Sequence, residues 1–278
     1  MPELPEVETI KNDLRQLVLG SRIVSARVLD PSLVAYPAVA DFEAGLLLQG
    51  IEAVDRKAKY LLIRLSSGSY LVLQLMITGQ FLLVPRSAPI RRSTRLVLDL
   101  HGDQQLRLLD SSRYARVHLL DPEQLNERLH LDLLGPEALA DELTPEVFAR
   151  LLRGRRRQIK ALLLDQRVVS GLGNIYADEV LHEARLHPLR LGSSLTDEEI
   201  DRLYRAIRRI LAESVISRGT TTQSYRDVLG RKGSYQSQLK VFRRAGQPCA
   251  DCPGLVEEIR AAGRETFLCP SCQPLQRE

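Results

Sequence analysis

The chain has 278 residues, 44% hydrophobic and 27% charged, enough for two domains that each bury a core. It has no apolar run near the roughly 18 residues of a membrane span, and Glu3, Glu6 and Glu8 stand where an export signal carries a basic and then an apolar stretch, so a cytoplasmic protein is expected. The net charge of +4 hides an asymmetry, because residues 1–149 hold 16 Lys/Arg against 20 Asp/Glu while residues 150–278 hold 23 against 15; a basic half suits nucleic acid, anionic lipid or an acidic protein.

In chain order, Val7, Ile10, Leu14, Leu17 and Val18 recur at helical spacing before Gly20 stops them. From Arg22 to Leu120 short apolar runs follow, at 23–29, 60–65, 70–75, 81–84, 96–100 and 106–109. They predict an antiparallel sandwich, with hairpin turns at Ser66-Ser67-Gly68 and His101-Gly102-Asp103. Helical signals then take over. Thr144-Pro145 predicts one helix start, and Thr196 with Glu199 forms a capping box for a helix running to about Arg218. Between them come a short helix over 159–164, the turn Ser170-Gly171-Leu172-Gly173-Asn174, and a helix over 175–184. The expected fold is α+β in two domains: an N-terminal helix with an antiparallel β-sandwich, then a helical domain that carries a C-terminal ribbon. The boundaries are drawn at 1–130, 131–235 and 236–278.

The four cysteines, Cys249-x2-Cys252 and Cys269-x2-Cys272, have the spacing of one tetrahedral zinc ion between two knuckles. Two disulfides are the other reading, which a reducing cytoplasm disfavours. A structural zinc makes the ribbon fold without saying what it does. Six basic residues and no acid lie between Arg150 and Lys160, among them Arg155 and Arg156; a solvated helix face and an anion-binding face both fit. The helix start after Gly171-Leu172-Gly173, with Asn174 beside it, suits a phosphate oxygen, and a plain tight turn equally. Removal of Met1 would leave Pro2 with a free secondary amine, a nucleophile toward an aldehyde-like carbon. Glu3 adjoins it and Glu6 follows one helical turn on, placed for acid–base work. Prolines and glutamates also simply open helices.

The run Met1-Pro2-Glu3-Leu4-Pro5-Glu6-Val7-Glu8-Thr9 resembles the N-terminal signature of bacterial formamidopyrimidine-DNA glycosylases. The resemblance continues through Ala58-Lys59-Tyr60-Leu61-Leu62, Gly171 to Glu179, and Arg264-Glu265-Thr266-Phe267-Leu268-Cys269. It implies a helix-two-turn-helix domain, one structural zinc on Cys249, Cys252, Cys269 and Cys272, and double-stranded DNA carrying a damaged base or abasic site held between the domains. It further implies a monomer at the nucleoid of a bacterial cytoplasm. Pro2, Glu3, Lys59 and Arg264 would carry the chemistry. Glu6, Ile77, Arg113, Tyr114, Arg155, Arg156, Asn174 and Tyr235 would meet DNA, and residues 220–235 would cover an everted base. Departures fall on specificity. The family's Asp-Pro-Arg-Arg-Phe run is Asp110-Ser111-Ser112-Arg113-Tyr114, Ser93 replaces a histidine and Gln223 a lysine, which leaves the choice of lesion and of opposite base open. An endonuclease VIII-type enzyme for oxidised pyrimidines, which usually has glycine at the fourth position rather than Leu4, and a non-catalytic DNA-binding zinc protein are the alternatives.

Overall fold

The computed structural model describes residues 1–275. They form two compact units, Met1–Asp132 with Val215–Gln236, and Leu133–Ser214 with the stretch from Ser237 onward. In the first unit helix α1 (Leu4–Leu17) opens on a capping box that links Glu3 and Glu6, with Pro5 in the first turn, where no helical N–H bond is lost. Val7, Ile10, Leu14 and Val18 are buried in one stripe; Leu17, expected with them, is exposed because Val18 takes the core position at the helix end.

The strands of this unit are β1 (Ile23–Val28), β2 (Val34–Tyr36), β3 (Ile51–Lys57), β4 (Tyr60–Leu65), β5 (Tyr70–Gln74), β6 (Gln80–Pro85), β7 (Thr94–Leu100), β8 (Gln104–Leu109) and β9 (Arg116–Leu120). Helix α2 (Val39–Leu46) follows β2, and α3 (Pro122–Leu129) follows β9. One sheet runs β1-β7-β8-β6 and the other β2-β9-β5-β4-β3. Every pairing is antiparallel except that of the short edge strand β2 with β9. Ile23, Val54, Leu61, Phe81, Leu98 and Val117, drawn from both sheets, share one core, as the expected sandwich requires.

Three strands and two helices escape the sequence pattern. Strand β3 has a register shift between Ile51 and Ala53, which moves its next buried apolar residue to Val54 and breaks the period-two alternation. The larger difference concerns residues 215–235, drawn with the helical domain and found in the first unit. Tyr225 and Val228 enter the sandwich core, Val228 O accepts the Leu83 N–H at 2.8 Å, and the Arg218 guanidinium bridges Asp13 at 2.5 Å and Asp227 at 2.6 Å.

The second unit contains α4 (Pro145–Leu152), α5 (Ile159–Leu164), α6 (Asn174–Glu183), all but the last two residues of α7 (Asp197–Ile216), and a hairpin of β10 (Glu257–Ala261) and β11 (Arg264–Leu268). Helix α7 starts with the expected box, Thr196 N–H on Glu199 Oε2 at 3.0 Å and Glu199 N–H on Thr196 Oγ1 at 3.3 Å. Ala262 and Gly263 both have positive φ, 51° and 72°, the backbone that a two-residue hairpin turn needs. Lys160 and Asp178 are buried together, Nζ to Oδ1 2.6 Å. Lys160 also donates to Thr266 Oγ1 at 2.7 Å and Glu265 O at 3.2 Å, and Asp178 Oδ2 accepts the Phe267 N–H at 3.0 Å. The pair therefore pins β11 onto α5 and α6. Burial pushes the Asp178 carboxyl up to about 7, against the pull of Lys160. No helix among the described residues is long and apolar enough to cross a membrane.

Candidate active site and zinc centre

The start of α1 is built as a mount. Glu3 is 2% exposed and Glu6 1%. Glu6 Oε2 accepts the Glu3 N–H at 2.7 Å and Oε1 the Thr220 N–H at 2.7 Å. Gly219 makes the approach possible, since it has φ 80° and a Cβ there would lie 2.8 Å from Glu6 Oε1. Pro2, also buried, is thus joined to a residue whose backbone is fixed. Glu6, grouped with the DNA contacts by resemblance, is committed inside the protein and acts as a clamp. Lys59 lies in the two-residue turn between β3 and β4, where Lys57 pairs with Tyr60 and Ala58 takes φ 51°. Arg56 Nη1 donates to Ala58 O at 2.8 Å and Arg56 Nε to Glu8 Oε2 at 2.9 Å. The lysine turn is therefore fastened to the helix that Glu3 caps. Against the cost of burial, hydrogen bonds from Lys11 and Arg56 hold the Glu8 carboxyl below its ordinary value.

A second group in this unit displays apolar and cationic side chains on two linked loops. Ile77, Tyr114 (55% exposed) and Arg113 stand out in solvent. Below them Asp110 is buried and accepts hydrogen bonds from Thr78 Oγ1, from Ser112 Oγ at 2.8 Å and from the Ala115 N–H at 2.8 Å. Those bonds keep its carboxyl low in spite of desolvation. Ser112 Oγ lies 2.8 Å from Thr78 Oγ1 as well, but its single hydrogen is spent on Asp110, within the loop. Gln80 Nε2 reaches Ser224 O, and Ser224 Oγ donates to Ile77 O at 3.4 Å, which ties the loop after Thr220 to the loop of Ile77. Tyr235, expected at DNA, is 4% exposed, and its N–H bonds Gly219 O at 3.2 Å.

In the second unit Asn174 opens α6, and its Nδ2 donates to Glu265 O at 2.9 Å. Asn174 Oδ1 is buried without a hydrogen-bond partner. Arg264 follows the hairpin turn, and an open hollow of about 700 Å³ is lined by Asn174, Arg260, Gly263, Arg264 and the carboxylates Glu258 and Glu265. Asn174 and Arg264 are thus brought together as the sequence reading requires. The glycine turn is more committed than expected, for Gln166 Oε1 takes the Gly171 N–H at 2.9 Å and Gln166 Nε2 bonds Leu172 O at 2.9 Å. The basic run divides. Arg155 and Arg156 are exposed, Arg153 and Arg157 pair with Asp197 at 2.6 Å and Asp165 at 2.8 Å, and Lys160 is in the core. Lys160 was visible in the sequence only as part of the basic run, and its pairing with Asp178 was not, because Asp178 and Thr266 lie on other elements; Gln166, which braces the glycine turn, carried no motif.

The four cysteines are free thiols whose Sγ atoms lie within 4.8 Å of one another. Cys249 and Cys272 are 3.9 Å apart, and Cys252 and Cys269 3.5 Å, close to the ~3.8 Å edge of a tetrahedron with Zn–S bonds of ~2.3 Å. The cluster is placed to bind one metal ion, and the disulfide reading falls. The Asp251 N–H points at Cys249 Sγ and the Gly254 N–H at Cys252 Sγ, each at 3.4 Å, donors suited to thiolates. Stripping the metal with a chelator is expected to abolish amide-exchange protection across the 257–268 hairpin. Unchanged protection in metal-free protein would show that the ribbon folds without the ion.

Three family models match: the formamidopyrimidine-DNA glycosylase N-terminal domain at residues 1–117, its H2TH domain at 134–226, and the zinc finger found in FPG and IleRS at 246–275. The formamidopyrimidine-DNA glycosylase of Chloroflexus aggregans is 43% identical over 276 residues, 99% of each chain. That of Pelotomaculum thermopropionicum is 40% identical over 99% of this chain and 100% of its own. Among solved structures, Lactococcus lactis Fpg with abasic-site DNA superposes with TM-score 0.92 at 31% identity, covering 98% of this chain and all of that one. The same enzyme with DNA containing an oxidised pyrimidine gives 0.91 at 30%, covering 99% and 100%.

Proposed function

Because this chain belongs to the formamidopyrimidine-DNA glycosylase family, we propose that it is a bifunctional glycosylase and abasic-site lyase of base excision repair, removing oxidised or ring-opened purines from double-stranded DNA. The observation that carries this reading is the buried mount at the start of α1, with both Glu6 oxygens holding backbone so that Pro2 and Glu3 are presented in one fixed arrangement. Once Met1 is removed, the Pro2 nitrogen bonds C1′ as the bond to the base breaks, and the base leaves with a proton. Glu3 protonates the ring oxygen as the sugar opens, which leaves an iminium. Loss of a C2′ proton then expels the 3′ phosphate, loss of a C4′ proton expels the 5′ phosphate, and water releases the sugar fragment from Pro2. Lys59 and Arg264 neutralise departing phosphates.

Asn174 and Arg264 grip the phosphate of the flipped nucleotide, since the lesion is unreachable inside the stack. Ile77 and Tyr114 fill the gap, and Arg113, Arg155 and Arg156 meet backbone phosphates. Tyr235 supports the loop over the everted base. One structural zinc holds the ribbon that carries Arg264, so chelation removes DNA binding as well; retained affinity in metal-free protein contradicts that role. The enzyme acts as a monomer in the bacterial cytoplasm, at the nucleoid.

Borohydride added to the mature enzyme on an abasic-site oligonucleotide is expected to trap a covalent adduct, and a form with a residue retained ahead of Pro2 to trap none. Absence of an adduct from the mature enzyme refutes the iminium. Oxidised pyrimidines are a second reading, supported by the Lactococcus lactis complex with such DNA and by the spent hydroxyl of Ser112. Excision rates on 8-oxoguanine and dihydrouracil opposite each base separate the two.

A further inference from the structure

Asn174, Asp178 and His182 fall at i, i+4 and i+8 on one face of α6, and each meets the ribbon. Asn174 bonds Glu265 O at 2.9 Å and Asp178 the Phe267 N–H at 3.0 Å. His182 Nε2 lies 3.6 Å from Cys249 Sγ. The imidazole is fully buried, and its Nδ1 has no hydrogen bond, with Asp251 Oδ2 3.7 Å away. The side chains placed to share one ion among the described residues are the four cysteines without His182. The ring therefore faces one ligand sulfur from the side instead of joining the ligand set.

We infer that His182 donates its Nε2–H to the zinc-bound thiolate of Cys249, so that α6 carries the outer hydrogen-bonding layer of the zinc centre. A thiolate on zinc offers lone pairs and no proton, so only the ring with hydrogen on Nε2 is attracted to it. Without this bond both ring nitrogens would be buried and unsatisfied, which native interiors rarely tolerate. Asp251, which faces Nδ1, is held by Lys240 Nζ at 3.0 Å and 3.1 Å, and this pairing offsets its charge toward the ring. Cys249 Sγ thus receives two donors, the Asp251 N–H and His182. The ribbon is then fastened along some 12 Å of α6, from the Asn174 end to the zinc end, at ~1.5 Å per residue.

Two variants test this, neither of them a ligand. His182→Leu fills the space without a donor, and His182→Gln keeps an N–H of similar reach. Zinc transfer to a chromogenic chelator is expected to be 10- to 100-fold faster from His182→Leu, roughly the range for lost outer-layer hydrogen bonds, and intermediate from His182→Gln. In cobalt-substituted protein the thiolate-to-metal charge-transfer band moves to lower energy in the leucine variant, because an N–H stabilises sulfur lone pairs. Equal zinc transfer and superimposable cobalt bands in wild type and His182→Leu overturn the inference. Should the leucine variant fail to fold, ¹¹³Cd-substituted wild type decides: coupling between the metal and the His182 Nε2 proton supports it, and a ring protonated only on Nδ1 refutes it.

Discussion

Glu3→Gln is expected to lower the single-turnover rate of base excision by about 10²- to 10⁴-fold, the usual contribution of a positioned general acid, while leaving the fold intact. The glutamine carbonyl can still accept the Glu6 backbone N–H in the capping box, and the Glu3 N–H that bonds Glu6 Oε2 at 2.7 Å belongs to the main chain. Stability should therefore change by no more than about 1 kcal/mol, the worth of one ordinary hydrogen bond. What the variant loses is a proton to give to the sugar ring oxygen. A preformed abasic site reaches the aldehyde without that help, so the variant should still be trapped there by borohydride through Pro2. This split separates lost acid catalysis from a displaced nucleophile. Excision within ~10-fold of wild type would remove Glu3 from the mechanism.

Features set by neighbours in the chain were legible. The stripe of α1, strand β4 over 60–65, helix α5 over 159–164, the helix start at Thr144 and the cysteine knuckles all depend on residues a few positions apart. The parts that escaped depend on distant partners. Residues 217–236 read as a polar, glycine-containing loop after a helix; their place in the first unit is set by Glu6, 214 positions before Thr220, and by Asp13, 205 before Arg218. Glu6 was read as facing the same way as Glu3 because spacing gives a direction on a helix but not the N–H groups that a carboxylate will find. Asn174 could be named from the sequence as a candidate phosphate ligand at a helix start, but its anchor, the Glu265 carbonyl, is 91 residues on. The i, i+4, i+8 polar face of α6 was in plain view, yet with Glu179 and Glu183 beside it the helix offered no single polar stripe to single out.

Lys160→Met should destabilise the second unit by about 3–5 kcal/mol, the cost of removing one partner of a buried pair, read by urea denaturation at neutral pH. Methionine matches the length of the lysine stem, so little of the loss comes from packing. It comes from Asp178, which has no solvent-exposed side-chain surface and would keep only the Phe267 N–H, at 3.0 Å, from its present partners. Replacing that group as well, in Lys160→Met with Asp178→Asn, should recover more than half of the loss, because an amide is buried at smaller cost than a carboxyl that has lost its cation and must take up a proton. The single variant also leaves Thr266 Oγ1 with only its bond to Arg264 O and loosens Glu265, the residue that bonds Asn174 and follows Arg264. Its affinity for abasic-site DNA should fall with its stability and return in the double variant. A single-variant cost below ~1 kcal/mol would mean that Lys160 belongs to the solvated basic face that the sequence first suggested, and that the ribbon is held to α6 by Asn174 and the zinc end alone.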